Sequence, residues 1–564
     1  MEPAKHIKEI ILKALEKMDL HAPDFSVDHP TEFSHGDYST NVAMVLGKKM
    51  GVSPKDLAET IMRTLSPSDI VSRIEVAGPG FINFYLSNAF FEQATERVLS
   101  LKDNFGKNDL HAGEKILVEH SSPNLFKPFH VGHVMNNAIG ESITRFAGFS
   151  GAKVTKISYP SDVSLGIGKA VFALLKNGVD KLEALPDLSS KLKFLGECYV
   201  QGTKLYEESE DTQKQVRKIT EIIYEKTPGI EYDTYQKGKD ITLTYFKDIT
   251  ERLGSEFDGF IYESEAGAVG EEIVRGKIGK VFKESDGAVI YEGEQDGLHT
   301  RVFINKEGYP TYEAKDIGLL NLKFGRFNPD LSILVTDREQ AEYYKVVLAA
   351  AGKINKDWQA KTFHQTHGRM SFMGKKMSSR LGGIPTASDV LESVEEEVKA
   401  KLEDKNDQEK IDTITISALK FTILKTMAGK NINFDPETSL SFEGDSGPYL
   451  QYTNARINSV LEKAGAAGIA PAQAKEKGRD IADVEKLLYR FPEVVENSIN
   501  DWSPHHVAGY LLELARAFNS WYGNTKIIDA ENVNASYNVA LAKAVSQTIQ
   551  NGLYLLGIKA PERM

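Results

Sequence analysis

One cysteine, Cys198, occurs among the 564 residues. A disulfide framework and a cysteine-built zinc site are therefore both excluded within one chain, which fits a reducing compartment. Long apolar runs are missing too. No stretch of about 18 apolar residues exists to cross a bilayer. Charges interrupt every apolar run of the opening "MEPAKHIKEIILKALEKM", so it does not read as a signal peptide. The third absence is a basic excess: 68 Lys and Arg stand against 80 Asp and Glu, a net charge of −12. No global positive field advertises a nucleic-acid binder, although large RNA-binding enzymes often confine their basic residues to one face. A soluble, cytoplasmic protein with no membrane partner is expected.

What is present suffices for several cores. The length suggests three or four domains. The 41% apolar and 26% charged residues are ordinary for a soluble chain. Residues 1–110 read as a small α+β unit. It opens with a helix carrying Ile7, Ile10, Ile11, Ala14, Leu15 and Met18 at helical spacing, and closes with "IEVAGPGFINFYL", a strand pair around Gly-Pro-Gly. From about 113 the pattern changes. "EKILVEHSS" reads as a buried strand, "VGHVMNNAIGESITRFAGFSG" as a helix stopped by Gly148 and Gly151, and "AKVTKISYP" as a second strand. That order is a right-handed parallel crossover, the seed of a nucleotide-binding α/β domain. Charged helical sequence around 166–260 reads as an insertion. The α/β pattern resumes with "RVFINKEGYPTYEAKDIGLL", the strand "LSILVT" and a helix from about Glu339. After about 386 the chain reads as helical throughout, broken by an Ala/Gly-rich loop near 463–478.

The chemistry concentrates in "SSPNLFKPFHVGH", residues 121–133. Pro123 and Pro128 hold the approach extended and delay the helix until about His130. His130 and His133 then fall three apart in the first turn, beside a helix N-terminus whose free N–H groups bind anions. Gly132 between them lets a flat group such as adenine approach the backbone. Two imidazole donors there suit a phosphate that gains charge in its transition state. On these residues alone, a capped helix with incidental histidines stays open, whereas a metalloprotease-type metal pair wants i,i+4 spacing with a glutamate. A second signal follows in "GKKMSSRLGG" (374–383), a glycine-bracketed basic loop suited to a leaving pyrophosphate.

Taken together, these stretches resemble a class I aminoacyl-tRNA synthetase. His130–His133 is similar to that family's His-Ile-Gly-His signature, and Lys376-Met377-Ser378-Ser379 to its Lys-Met-Ser-Lys loop. "VEHSSPNLFKPFHVGH", "FDPETSLSFEGDSGPYLQYTNAR" (434–456), "HGDYSTNVAM" (35–44) and the closing "LGIKAPERM" resemble the arginyl branch, over essentially the whole length. The resemblance implies a Rossmann-type parallel-sheet catalytic α/β domain over 113–385 with the helical insertion. It adds an N-terminal α+β domain over 1–110 that binds the tRNA elbow, a helical junction over 386–440, and an all-α anticodon-binding domain over 441–564. It implies ATP, L-arginine and tRNA(Arg) as substrates, Mg²⁺ with ATP, no zinc, and a monomer.

The same resemblance assigns roles. His130, His133, Lys376 and Lys127 would be catalytic, and Gly132, Met377 and Ser378 would join His130, His133 and Lys376 on ATP. Tyr312 and Asp316 would hold the guanidinium, with Glu119 assisting, while Asn124 and Gln340 hold the α-amino and carboxylate end. The residues themselves agree with an arginine pocket, because a guanidinium offers five donors and wants carboxylates and flat acceptors. Tyr312 and Asp316 are four apart, hence on one helical face, although a surface pair would read the same way. Asn41, Asn83, Trp521, Tyr522 and Met564 would contact tRNA, the exposed aromatics by stacking on splayed bases.

Two stretches depart from the family pattern. Ser379 stands where the second lysine of the loop would be, with Lys375 and Arg380 as the nearby charges. "SYPSDVSLGIG" (158–168) keeps Asp162 but not the usual Gly-Asp-Trp-Gly or Asn-Asp-type turn, which puts substrate contacts there in question. These departures leave open a synthetase-derived protein that binds tRNA without charging it. A cysteinyl-type enzyme is excluded by the missing zinc cysteines, and a non-RNA nucleotidyltransferase would have no use for the helical C-terminal third.

Overall fold

Strand Lys115–Glu119 (β5) buries Ile116, Leu117, Val118 and Glu119 in succession, as a strand covered on both faces does. The computed structural model, which describes residues 3–21, 24–373, 385–476 and 478–564, places it at the centre of a five-stranded sheet. Its neighbours are Lys153–Ser158 (β6) on one side and Leu331–Asp337 (β11) on the other. Gly259–Phe260 (β7) and Thr362–His367 (β12) form the edges, and every pairing is parallel. The order β12-β11-β5-β6-β7 reverses direction between β5 and β11, and open α/β sheets bind ligands in the crevice at that switch point.

The two faces divide by pleat. Ile116 and Val118 join the large core that includes the helix Val131–Phe149. Leu117 and Ile157 pack on Ala266 and Leu319 on the other face. That helix runs through Gly148, and the left-handed residue that ends it is Gly151, at φ 84°. Only the second of the two glycines read as stops is therefore one.

Between β6 and β7 the chain inserts five helices, from Leu165–Asn177 to Ile230–Arg252, with their own core around Leu174, Leu195 and Ile223. A three-stranded antiparallel sheet, Lys283–Ser285 (β8), Ala288–Tyr291 (β9) and Arg301–Ile304 (β10), then precedes the helix Tyr312–Phe327. The sequence reading passed over β8 and β9. Helices Glu263–Gly276 and Tyr312–Phe327 pack backbone to backbone: a Cβ on Gly270 would strike the Ala314 carbonyl, and one on Gly318 the Ala266 carbonyl.

The N-terminal sheet orders Val27–Asp28 (β1), Tyr38–Thr40 (β2), Phe81–Leu86 (β4) and Val71–Ala77 (β3), with the Gly-Pro-Gly turn joining β3 to β4. Tyr489 of the C-terminal half packs into this domain's core, beside Tyr38 and Phe90. The chain beyond 386 is not purely helical. Ile432–Phe434 (β14) pairs in parallel with Met370–Phe372 (β13), because the residues after the sheet need a backbone partner. The four longer C-terminal helices, Gly447–Ala466, Phe491–Asn500, His505–Asn524 and Ala535–Leu555, share the large core with the signature helix. The last residues return to the signature helix, where Ser142 Oγ donates to the Leu555 carbonyl at 2.8 Å. Among the described residues, no helix is long and apolar enough to cross a membrane.

Candidate active site

Past β5 the chain turns through Ser121 at φ 57°, a left-handed conformation that costs a non-glycine residue and is held by its surroundings. Asn136 Oδ1 accepts the Ser121 amide at 2.6 Å, and Asn136 Nδ2 donates to the Val335 carbonyl of β11 at 2.6 Å. One side chain thus spans the switch point. Further on, Ser161 N–H donates to the Pro123 carbonyl and Leu125 N–H to the Ser161 carbonyl, so the signature loop is tied to the loop after β6.

His130 is the N-cap of the signature helix and His133 its third residue. His130 Nδ1 accepts the Gly132 amide at 3.1 Å, and His133 Nδ1 accepts the His130 amide at 3.1 Å. An amide can only donate, so each neutral ring carries its proton on Nε2. Both histidines therefore present Nε2–H donors in fixed tautomers at a helix N-terminus. The rings stack with centroids 3.8 Å apart, and Phe129 lies 4.6 Å beyond His133. Burial lowers both pKa values; Lys127 lowers His130 further, and His130 and His367 lower His133. Lys127 itself is exposed, its Nζ 4.2 Å from the centre of the Tyr199 ring.

Asn124 is exposed on the signature loop, and Gln340 is exposed on the turn Arg338–Gln340 just past β11, so they lie on loops either side of the switch point. Glu119 ends β5 fully buried and pairs with Lys323 at 2.8 Å. Asp316 is buried, receives the Tyr343 hydroxyl at 2.6 Å, and is pushed up to about 7 by burial, with Glu119 and Glu263 adding to the rise. Tyr312 is 63% exposed at the start of the same helix. The sequence reading missed Glu263, which begins the neighbouring helix and pairs with buried Lys315. It also missed Tyr159, whose buried hydroxyl has no hydrogen-bond partner among the described residues and lies in the field of Asp316, Glu263 and Glu119.

The divergent turn turns out to be a clamp. Asp162 pairs with Lys239 of the insertion at 2.8 Å and accepts both the amide and the hydroxyl of Ser264 at 2.9 Å. Val163 packs in the insertion core, and Ser164 caps the helix Leu165–Asn177. The carboxylate of Asp162 is thus committed to protein donors.

Lys376, Met377, Ser378, Ser379, Lys375 and Arg380 lie outside the described residues. The chain re-enters at Pro385, whose carbonyl accepts the Val131 amide, while Ala387 N–H donates to the Phe129 carbonyl. The residues after the basic loop are thereby bound to the signature helix. No group of three or more His, Cys, Asp or Glu is gathered to hold a metal ion among the described residues.

Of the residues assigned to tRNA, Tyr522 is 39% exposed and stacks on Phe518 at 6.0 Å. Trp521 and Met564 are half-buried against the large core. Asn41 is half-buried ahead of the helix Val42–Met50 and accepts the Ser26 amide. Asn83 is buried in β4, where Ser39 Oγ donates to its Oδ1 at 2.7 Å, so the strand pairing withdraws it from the surface.

Residues 95–435 match the family model for the catalytic domain of class I tRNA synthetases (R). Residues 5–86 match the arginyl tRNA synthetase N terminal domain, and 450–564 the DALR anticodon binding domain. The arginine–tRNA ligase of Borreliella burgdorferi is 29% identical over 95% of this chain and 94% of its own length. That of Flavobacterium psychrophilum is 30% identical over 91% and 90%. Among solved structures, the Thermus thermophilus arginyl-tRNA synthetase superposes with a TM-score of 0.79 at 24% identity, covering 100% of both chains. The Plasmodium falciparum arginyl-tRNA synthetase gives 0.80 at 20% identity, over 100% of this chain and 99% of its own.

Proposed function

Because the chain belongs to the arginyl-tRNA synthetase family, we infer that it is an arginine–tRNA ligase whose reaction runs in the crevice between β5 and β11. The observation that carries this reading is the paired histidines, two Nε2–H donors fixed at a helix N-terminus on the switch point.

The arginine carboxylate attacks the α-phosphorus of ATP, the bond to the β-phosphate oxygen breaks, and arginyl-adenylate and pyrophosphate form. The terminal ribose hydroxyl of tRNA(Arg) then attacks the arginyl carbonyl and AMP leaves. No covalent enzyme intermediate is needed, so the side chains position reactants and stabilise charge. His130 and His133 donate Nε2–H to phosphate oxygens as charge builds there. Gly132 leaves room for adenine. Lys127 adds positive potential beside the phosphates, and Lys376, Met377 and Ser378 contact ATP, the lysine offsetting the charge of the leaving pyrophosphate. Mg²⁺ enters with ATP as part of the substrate, held by phosphates and water.

Asp316 and the Tyr312 ring receive the guanidinium, with Glu119 adding negative potential, and Asn124 and Gln340 orient the α-amino and carboxylate end. An acceptor-lined pocket rejects lysine, which would leave buried acceptors unpaired. Residues 1–110 and 441–564 serve as the tRNA-elbow and anticodon modules, joined by the junction 386–440. Tyr522, Trp521, Met564 and Asn41 are the contacts to test, and Asn83 shapes its sheet. A cytoplasmic monomer is the state we assign.

Arginine-dependent ATP–pyrophosphate exchange, with and without tRNA(Arg) and with lysine as control, tests the reading. Exchange that needs arginine and appears only with tRNA supports both the ligase and activation gated by RNA. Exchange without tRNA keeps the ligase and removes the gating. No exchange in either case, with tRNA still bound, favours the non-charging alternative raised by Ser379.

A further inference from the structure

ATP carries hydrogen-bond donors of its own in only two places, the amino group of adenine and the hydroxyls of ribose. The signature histidines cannot answer these, because both are held as Nε2–H donors. One further imidazole at the crevice is held the other way round. His367 ends β12, in register with Asp337 at the end of β11. Paired residues of parallel strands share a face, so its side chain stands with Val335 and Gln365. Val335 packs in the core that includes the signature helix, and His133 lies within the electrostatic reach of the His367 ring. His364 points to the other face, where its Nε2 is taken by the Thr336 hydroxyl at 2.7 Å.

His367 is 4% exposed, and its Nδ1 lies 2.8 Å from the Gly368 carbonyl. A carbonyl can only accept, so the neutral ring carries its proton on Nδ1 and leaves Nε2 with a bare lone pair. The segment that fixes the ring is itself fixed. A Cβ on Gly368 would strike the Lys430 carbonyl, and Asn431 Oδ1 accepts the Arg369 amide at 3.1 Å. Burial holds the ring below its ordinary value, hence uncharged at neutral pH, against the opposing pull of the Gly368 carbonyl and Asp337. Among the described residues no donor reaches its Nε2.

We propose that His367 reads the base of ATP: its Nε2 accepts a hydrogen bond from the exocyclic amino group of adenine seated against Gly132. The proposal rests on the ligase reading above. Gly132 bares backbone beside the paired histidines, where a Cβ would already press on the His130 ring. With the phosphates on the two Nε2–H donors and the base against Gly132, the end of β12 borders the base. The polarity then discriminates. An amino group donates to the lone pair, whereas the carbonyl oxygen that guanine carries at the same position would meet it acceptor to acceptor. His367 is thus a specificity residue and takes no part in the bond changes.

The test compares ATP with purine riboside triphosphate, which lacks the amino group, in arginine-dependent, tRNA-supported pyrophosphate exchange. The parent should show a KM about tenfold lower for ATP, the scale of one hydrogen bond to a buried group. His367→Phe keeps a flat ring and removes the acceptor. It should raise the ATP KM about tenfold and leave that of the analogue unchanged, which erases the preference. His367→Gln, which restores an acceptor, should recover part of it. A KM that rises equally for both nucleotides in His367→Phe makes the ring a packing element and overturns the proposal, as does a preference kept in full. Loss of discrimination between ATP and its deoxyribose forms, in place of the amino-group preference, moves the lone pair to a ribose hydroxyl and also overturns it.

Thermal melts accompany each variant, and if His367→Phe does not hold its fold, His367→Met enters the same comparison. A parent that treats ATP and the analogue alike overturns the assignment without any variant. A parent with no arginine-dependent exchange from ATP fails in a separate arm, and there it is the functional reading that falls.

Discussion

Asn136 reaches from the signature helix to the Val335 carbonyl at 2.6 Å, joining β5 and β11 at the point where their ligand crevice opens. Its other carboxamide atom holds the strained Ser121. Asn136→Leu leaves a donor and an acceptor without partners, a loss of about 1–3 kcal/mol for each buried group. The urea midpoint should fall and exchange should slow, because the loop before His130 loses its tether. An unchanged midpoint would show that the clamp is dispensable.

Acid should unfold this chain through its histidines. Burial lowers His120 to about 3 and His364 to about 4, and lowers His130 and His133 as well. Below the ordinary value near 6.5, the unfolded chain binds protons that the folded chain refuses, so stability rises with pH across this window. It should be lost progressively from about pH 6.5 downwards and be insensitive to these groups above it. Denaturant titrations at pH 7.5, 6 and 5 measure the slope; a flat profile would contradict the burial of these rings.

Asp316 sits in the opposite case, held up to about 7 by burial. Between its ordinary value and 7 the folded state keeps a proton that the unfolded state gives up, so this carboxyl's contribution to stability declines as pH rises through that range. Arginine needs the ionised form. The KM for arginine should therefore improve as pH rises from 6 to 8, with proton release on binding at pH 6.5. Asp316→Asn should abolish the slope and cost roughly 100-fold in kcat/KM, the scale of a lost charge-assisted contact of about 3 kcal/mol.

The two adjacent aromatics near the end of His505–Asn524 should separate cleanly. Tyr522→Ala, at the exposed ring, should weaken tRNA binding by about 1–3 kcal/mol with the melting temperature unmoved, as expected for a lost base stack. Trp521→Ala should lower the melting temperature, since its half-buried ring packs against the core. Filter binding and thermal melts read the two effects; reversed results would reassign the RNA face.

Much of this arrangement is legible in the sequence. Prolines at 123 and 128 delay the helix to His130, and that register alone put both imidazoles at its start. Local rules of this kind act over a few residues. Lys323, Lys315 and Glu263 escaped because their meaning lies in partners 204 and 52 residues away. Asp162 looked like a degraded substrate turn for the same reason: its partners, Lys239 and Ser264, sit 77 and 102 residues on. The pairing of β13 with β14 escaped as well, since three-residue strands carry too short a pattern to stand out from a helical stretch.

Gly318→Ala should force the helices Glu263–Gly276 and Tyr312–Phe327 apart, because the added methyl meets the Ala266 carbonyl. Overpacking of this kind costs about 1–3 kcal/mol. The arginine KM should rise more than the ATP KM, as Glu263 and Asp316 ride on the two separated helices. Equal changes in both would place the damage elsewhere.

The glycine seam also governs how such a pocket can change over time. Gly270 and Gly318 face carbonyls, so a larger residue at either position is blocked whatever the other carries, and single drift there is closed. The residues on the outer faces of the same helices meet no such wall. New preferences for a bound amino acid are reached on this scaffold by exchanging the charges mounted along two fixed rails, while the spacing of the rails is inherited unchanged.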